Sequence, residues 1–213
     1  ILMWSVHDFL SVTGEFKEEE KEELERKYYK KLIARIEQEA MHMEPDQNLV
    51  ALDWLNGRRY PKNNEQVKGM LSGLTLGTTA PQIYAALSMA AVFGSKRIFD
   101  TFLTRGIQID AVITVGGIAK KSPYIMQMMA DSIKRPILVT DDDQCSATGA
   151  AICAAVAAGI YPDILSANDH MSMGFCKTYS PDEKNAGTYD LLYRKYLNLA
   201  RHEESLLTEY QKL

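Results

Sequence analysis

The sequence predicts an α/β fold, and three observations carry that expectation. Residues 109–159 read as strand, helix, strand and helix in succession, the order of a βαβ unit. Residues 15–43 and about 181–210 place apolar side chains at helical spacing on charged backgrounds. Between them, residues 79 to about 103 read as a helix rich in small residues, among them Ala85, Ala86, Ser88, Ala90, Ala91 and Gly94.

Taken in order, the first helix carries Leu24, Tyr28, Leu32, Ile36 and Ala40 on one side and Glu and Lys on the other, with Glu22–Arg26 and Glu23–Lys27 as acid-before-base pairs one turn apart. Pro45-Asp46 ends it. Leu49–Leu52 reads as a strand, followed by Asn56-Gly57, a tight-turn signal. Arg58 and Arg59 then belong either to a polar hairpin turn, the reading we favour locally, or to a substrate loop that contacts an anion. Gly77-Thr78-Thr79 resembles a phosphate-gripping turn, but Thr79-Ala-Pro-Gln82 is better read as a capping box opening a helix.

Ile109–Val115 is a run of mostly β-branched residues, the pattern of a buried strand. It passes into Gly116-Gly117 and a helix from Pro123 to Ile133. A strand that ends in glycines before a helix start suits a phosphate or nucleotide, because glycine lets the backbone approach and free N–H groups favour anions. The second strand, Ile137–Thr140, leads to Asp141-Asp142-Asp143. Three carboxylates could hold Mg²⁺, but neighbouring side chains of an extended segment point to opposite faces, so a solvated loop end is expected. The helix from Ser146, stopped by Gly159, is made of very small residues and is suited to close approach by another helix or a bound ring.

The bulk numbers narrow the function. The 213 residues suffice for one large domain, and 46% hydrophobic with 24% charged residues excludes a disordered chain. A net charge of −4 gives no case for nucleic acid or an anionic membrane, and no apolar run approaches the ~20 residues of a membrane span. No secretory signal is read at the front. Cys145, Cys153 and Cys176 are odd in number and lack metal-ligand spacing, so reduced thiols in the cytoplasm are expected. His7, His42, His170 and His202 are too scattered for a metal site. The chain opens on Ile1-Leu-Met-Trp, unlike a translation start, and we expect it to be part of something longer.

A specific combination remains. Gly116-Gly-Ile-Ala-Lys-Lys-Ser122, Gln127-x-x-Ala130-Asp131, Arg135-Pro136, Ala147-Thr-Gly-Ala-Ala151 and Ala157-Ala-Gly159, with Gly73-Leu-Thr75 and the helix ending Ala91-Val-Phe-Gly94 upstream, resemble the C-terminal domain of the FGGY carbohydrate kinases. The resemblance covers residues 49–165 well and 15–45 weakly. Ala51-Leu-Asp-Trp-Leu-Asn-Gly-Arg-Arg59, the second lysine of Ala119-Lys-Lys-Ser122, and Asp143-Gln-Cys145 are similar to the members that phosphorylate L-ribulose.

The resemblance implies an actin-like, ribonuclease-H-like α/β fold: a mixed sheet flanked by helices, with amphipathic helices at both ends. Residues 1–46 would be a helical segment leading into a nucleotide-binding domain over 47–213, and the sugar-binding N-terminal domain would lie outside the chain. ATP with Mg²⁺ and a small pentulose are the implied ligands, with a homodimer left open. Gly116 and Gly117 would touch the nucleotide phosphates and ribose, Ala119 and Lys121 would lie by the adenosine, and Arg58 and Arg59 near the substrate cleft. Departures matter here. Ala85-Ala-Leu-Ser-Met89 replaces the family's Arg-Ala-x-x-Glu, and neither its Asp-x-Gly-Thr phosphate loop nor its Gly-Asp-Gln segment occurs. The catalytic base is therefore expected outside this chain, and the chain alone is expected to be inactive. A kinase acting on xylulose or glycerol, and a non-catalytic actin-like module, are the alternatives.

Overall fold

The computed structural model describes residues 11, 12 and 14–210, apart from the side chains of Tyr29, Lys30 and Tyr210. His7 lies outside the described residues. The chain divides into two compact units. One is the segment up to Asp46 with Thr75–Ala85, and the other is Gln47–Leu74 with Ala86 onward.

The first unit contains α1 (Glu18–Met41) and the start of α2 (Ala80–Thr104). Three glutamates in the first turn of α1 suit its positive end, and Glu20 accepts from the Lys17 N–H at 2.9 Å. The expected apolar face is buried only toward the C-terminus: Ile36 and Ala40 are buried, while Tyr28 is 50% exposed. In the expected Glu22–Arg26 pair, Arg26 donates instead to the Glu22 carbonyl; Arg35–Glu39, which was not expected, forms a pair at 2.7 Å. The capping signal before α2 is half met: Gln82 Oε1 accepts from the Thr79 N–H (2.8 Å), but the Thr79 hydroxyl donates to the same oxygen (3.0 Å) rather than accepting from a helix N–H. Tyr84 donates to Glu37 at 2.7 Å, and Gln82 to Asp46 at 3.3 Å.

The second unit has two cores. In one, Ala86, Met89, Ala90 and Phe93 of α2 gather with Leu49, Val50 and Ala51 of the β1 region (β1, Val50–Leu52) and with Leu192 of α7 (Glu183–Tyr210). The alanines let the backbones come close, and Phe93 meets Tyr193 and Tyr196 at 5.3 and 5.6 Å between ring centres. Strand β1 pairs antiparallel with β2 (Met70–Ser72), which has no counterpart in the sequence reading. The Asn56-Gly57 turn is present: Gly57 donates to the Trp54 carbonyl at 3.2 Å with φ +72°.

The second core lies under a mixed sheet. Strands β3 (Val112–Thr114) and β4 (Ile137–Thr140) are parallel, and β5 (Phe175–Tyr179) runs antiparallel to β4. Between β3 and β4 come α3 (Gly117–Lys121) and α4 (Pro123–Ile133); α5 (Cys145–Ala157) and α6 (Ile164–Met171) precede β5. Ala119, Met126, Ala130, Ile137, Val139 and Tyr179 form the buried cluster. Helix α4 has the bounds expected, because Ser122 accepts from the Ile125 N–H, Pro123 opens the first turn, and Lys134 takes a left-handed conformation (φ 60°) before Pro136.

The expectation of a buried strand at 109–115 is corrected. Among the described residues β3 pairs only with β4, so it is a short edge strand with Ile113 and Val115 about 60% exposed. Behind the sheet, Asp131 is 2% exposed and accepts from Gln127 Nε2, the Asp182 N–H and Asn185 Nδ2, each at 2.8 Å. Three donors satisfy a carboxylate that would otherwise be costly to bury, and they tie α4 to the start of α7.

Candidate nucleotide site

Loops at the carboxyl ends of adjacent parallel strands are where open α/β sheets place ligands. Here those ends belong to β3 and β4. After β3, Gly116 has φ +90° and ψ 178°, a conformation that strains any L side chain, and a Cβ there would meet nothing within 4 Å. Glycine is thus required by backbone shape rather than by crowding, and the space above the turn is open. Gly117 begins α3, and a Cβ on it would meet only Lys121 Nζ, at 3.9 Å.

After β4, the three aspartates separate by role. Asp142 turns inward (8% exposed): Oδ1 accepts from the Gln144 N–H at 2.6 Å, while the Asp142 N–H donates to Thr140 Oγ1. The Thr148 hydroxyl and the Gln144 N–H hold its carboxyl below the usual aspartate range. Asp141 and Asp143 face Lys120. Its Nζ donates to the Asp141 carbonyl at 2.8 Å and to Asp143 Oδ1 at 2.5 Å, and the Asp143 bond raises its pKa. The aspartate run is thus solvated at Asp141 and Asp143, whose side chains are 65% and 79% exposed, as expected, and anchored through Asp142; among the described residues no three His, Cys, Asp or Glu side chains gather as a metal site.

The predicted residues fall into separate places. Gly116, Gly117 and Lys121 share the turn, and Lys121 is exposed without an ion pair among the described residues. The Ala119 methyl is 4% exposed and packs downward into the core, supporting α3 from below. Helix α5 buries Ile152 and Ala155 but leaves Ser146, Ala147, Gly149 and Ala150 uncovered, so its small-residue face is open toward its first turns.

Arg58 and Arg59 sit elsewhere, on the β1–β2 connection. Arg58 is 7% exposed, paired with Glu204 of α7, hydrogen-bonded to the Lys62 carbonyl at 3.1 Å, and stacked 4.9 Å over Trp54. Arg59 is exposed, with Glu65 at 3.6 Å. None of these bonds reaches the glycine turn. The Arg58 environment has a stability consequence. Arg58→Met should destabilise the fold by about 2–3 kcal/mol, because it breaks a pair whose arginine is buried and removes a cation–π contact; chemical denaturation measures it, and Glu204→Gln should cost less.

The pairing of Lys120 with the 141–143 run, and the inward turn of Asp142 within it, have no counterpart in the sequence reading. The lysine pair at 120–121 and the acidic run at 141–143 were both visible, but their pairing spans a strand and two helices.

The fold and this site define a mixed α/β domain with an open glycine turn at the carboxyl edge of a parallel strand pair. A profile of the FGGY family of carbohydrate kinases, C-terminal domain, matches residues 1–158, and the chain belongs to that family. It is 44% identical over 181 residues to a ribulokinase from Vibrio parahaemolyticus, which covers 84% of this chain and 32% of that one. It is 40% identical over 158 residues to a ribulokinase from Bacillus licheniformis, covering 72% and 29%. The chain thus spans about a third of the length of the curated relatives it matches. A ligand-bound xylulose kinase from Lactobacillus acidophilus shares the fold at a TM-score of 0.71 and 24% identity, over 83% of this chain and 35% of that one. The actin-like kinase fold expected from the sequence is therefore present. No helix among the described residues is long and apolar enough to cross a membrane.

Proposed function

We propose that this chain is the nucleotide-binding C-terminal part of an ATP-dependent kinase that transfers a phosphoryl group to the 5-hydroxyl of L-ribulose. The observation that carries the reading is the 44% identity to a ribulokinase across most of the chain. In this reading the backbone of Gly116 and Gly117 meets the nucleotide phosphates, and the uncompensated Lys121 adds positive charge beside them. Ala119 holds α3 in place from the core. The residues fit a nucleotide: the turn is open, a cation stands beside it, and the small face of α5 is uncovered.

Mg²⁺ would arrive with the phosphates, keep much of its water, and neutralise their charge. Phosphoryl transfer also needs a group that orients or deprotonates the sugar hydroxyl. That base, and the residues that hold the sugar, would lie outside this chain, in a sugar-binding domain preceding residues 47–213. Arg59, which is exposed beside Glu65 at 3.6 Å, is better placed than the buried Arg58 to face a substrate cleft. The protein would act in the cytoplasm on a soluble pentulose, and a homodimer is compatible with this reading.

The test is ADP release by the full-length natural protein with ATP–Mg²⁺ and a panel of L-ribulose, xylulose, glycerol and other polyols. Release with L-ribulose is expected. Release only with another sugar would change the substrate, and ADP binding without any release would favour a non-catalytic module.

A further inference from the structure

Lys120 joins the two loops at the carboxyl edge of β3 and β4. It sits in α3, directly after the glycine turn. Its Nζ donates to the Asp141 carbonyl (2.8 Å) and Asp143 Oδ1 (2.5 Å), with Asp141 Oδ1 3.9 Å away. The acceptors are themselves fixed. The Asp141 N–H donates to the Gly174 carbonyl at 2.9 Å, and Asp142 is anchored to Gln144 and Thr140 at the start of α5. The loop is thus held from β5 and from α5, and Lys120 ties α3 to it. The neighbouring Lys121 has no such partner among the described residues, so the two adjacent lysines have different duties.

The turn needs such a tether. Gly116 is free of contact on its Cβ side, α3 has a single buried residue, Ala119, and β3 is a three-residue edge strand. Few buried contacts hold this segment, the condition under which local opening is easy. We propose that Lys120 is a positioning residue for nucleotide binding: by clamping α3 to the 141–143 loop it sets the Gly116–Gly117 turn against the first turn of α5, and does not itself meet the phosphates. This rests on the nucleotide-site reading above.

The experiment measures the ADP dissociation constant of the full-length natural protein for wild type, K120M, K120R, D143N and K120M/D143N. K120M and D143N should each weaken binding about three- to fivefold, the reach of a surface ion pair. The double variant should be no worse than either single one, because both break the same clamp. K120R should retain most of the affinity. A lysine that met phosphate directly would behave oppositely: D143N would release it and tighten binding, and the double variant would bind more weakly than D143N alone. Either result overturns the proposal, as do unchanged constants in both single variants. A wild-type protein that binds no nucleotide overturns the functional reading and the clamp together; a wild type that binds, with unaffected variants, overturns the clamp alone.

Discussion

Gly117→Asp is expected to abolish ADP binding while leaving the domain folded. The two halves of that expectation have separate physical sources. The backbone of Gly117 is not in the left-handed region, and a Cβ there meets only the flexible end of Lys121 at 3.9 Å, so a side chain fits without strain. A carboxylate in the first turn of a helix also suits its positive end. For the ligand the same charge is repulsive: a unit charge about 4 Å from another near a protein surface is worth about 4 kcal/mol, roughly a thousandfold in affinity. It would also pair with Lys121 and cancel a cation that has no ion pair among the described residues. Titration calorimetry with ADP, alongside thermal melting without it, separates the two effects. Gly117→Ala is the control and should bind nearly as wild type.

Gly73→Ala should be the most damaging small substitution for the fold. Gly73 has φ +92°, and an added Cβ would lie 2.0 Å from the Asn48 carbonyl oxygen and 2.7 Å from its carbon. Those are backbone atoms just before β1, which pairs with β2 in the register Val50↔Ser72, so neither side can yield without opening the hairpin. A loss of about 3 kcal/mol or more is expected from strain and displacement together, read as a lowered denaturation midpoint or as insoluble expression. Gly187→Ala makes the opposite case. It lies inside α7 with nothing within 4 Å of its Cβ, and there alanine should stabilise by about 0.5–1 kcal/mol.

The contrast shows what could be read from the sequence. Elements with local punctuation were legible. Helix α4 and strand β4 have their expected bounds because Ser122-Pro123 and Arg135-Pro136 mark them. The glycine turn was legible for the same reason, since Gly116 is dictated by its own φ. Elements defined by partners were not. Strand β2 is three residues long, too short to carry a pattern, and β5 is exposed along its first four residues, so no alternation marks it. A signal for β5 did exist in Phe175, Thr178 and Tyr179 between Gly174 and Pro181. Helix α6 was marked only by Asp163, which accepts from the Ser166 N–H.

In the site, long-range pairing was the part hidden from the sequence. Lys120 finds Asp143 across 23 positions, and Arg58 finds Glu204 across 146. The buried face of Ala119 depends likewise on a sheet that no local window shows. Those pairings turn two candidate anion-binding stretches into different things: the glycine turn is open, and Arg58 is engaged in the fold.

The most direct test of the central claim is hydrogen exchange of the full-length natural protein with and without ADP. Binding at the Gly116–Gly117 turn predicts slowed exchange at residues 115–121 and in the first turns of α5, with little change around Arg58. ADP binding that leaves 115–121 unprotected would contradict the assignment of the nucleotide to this turn.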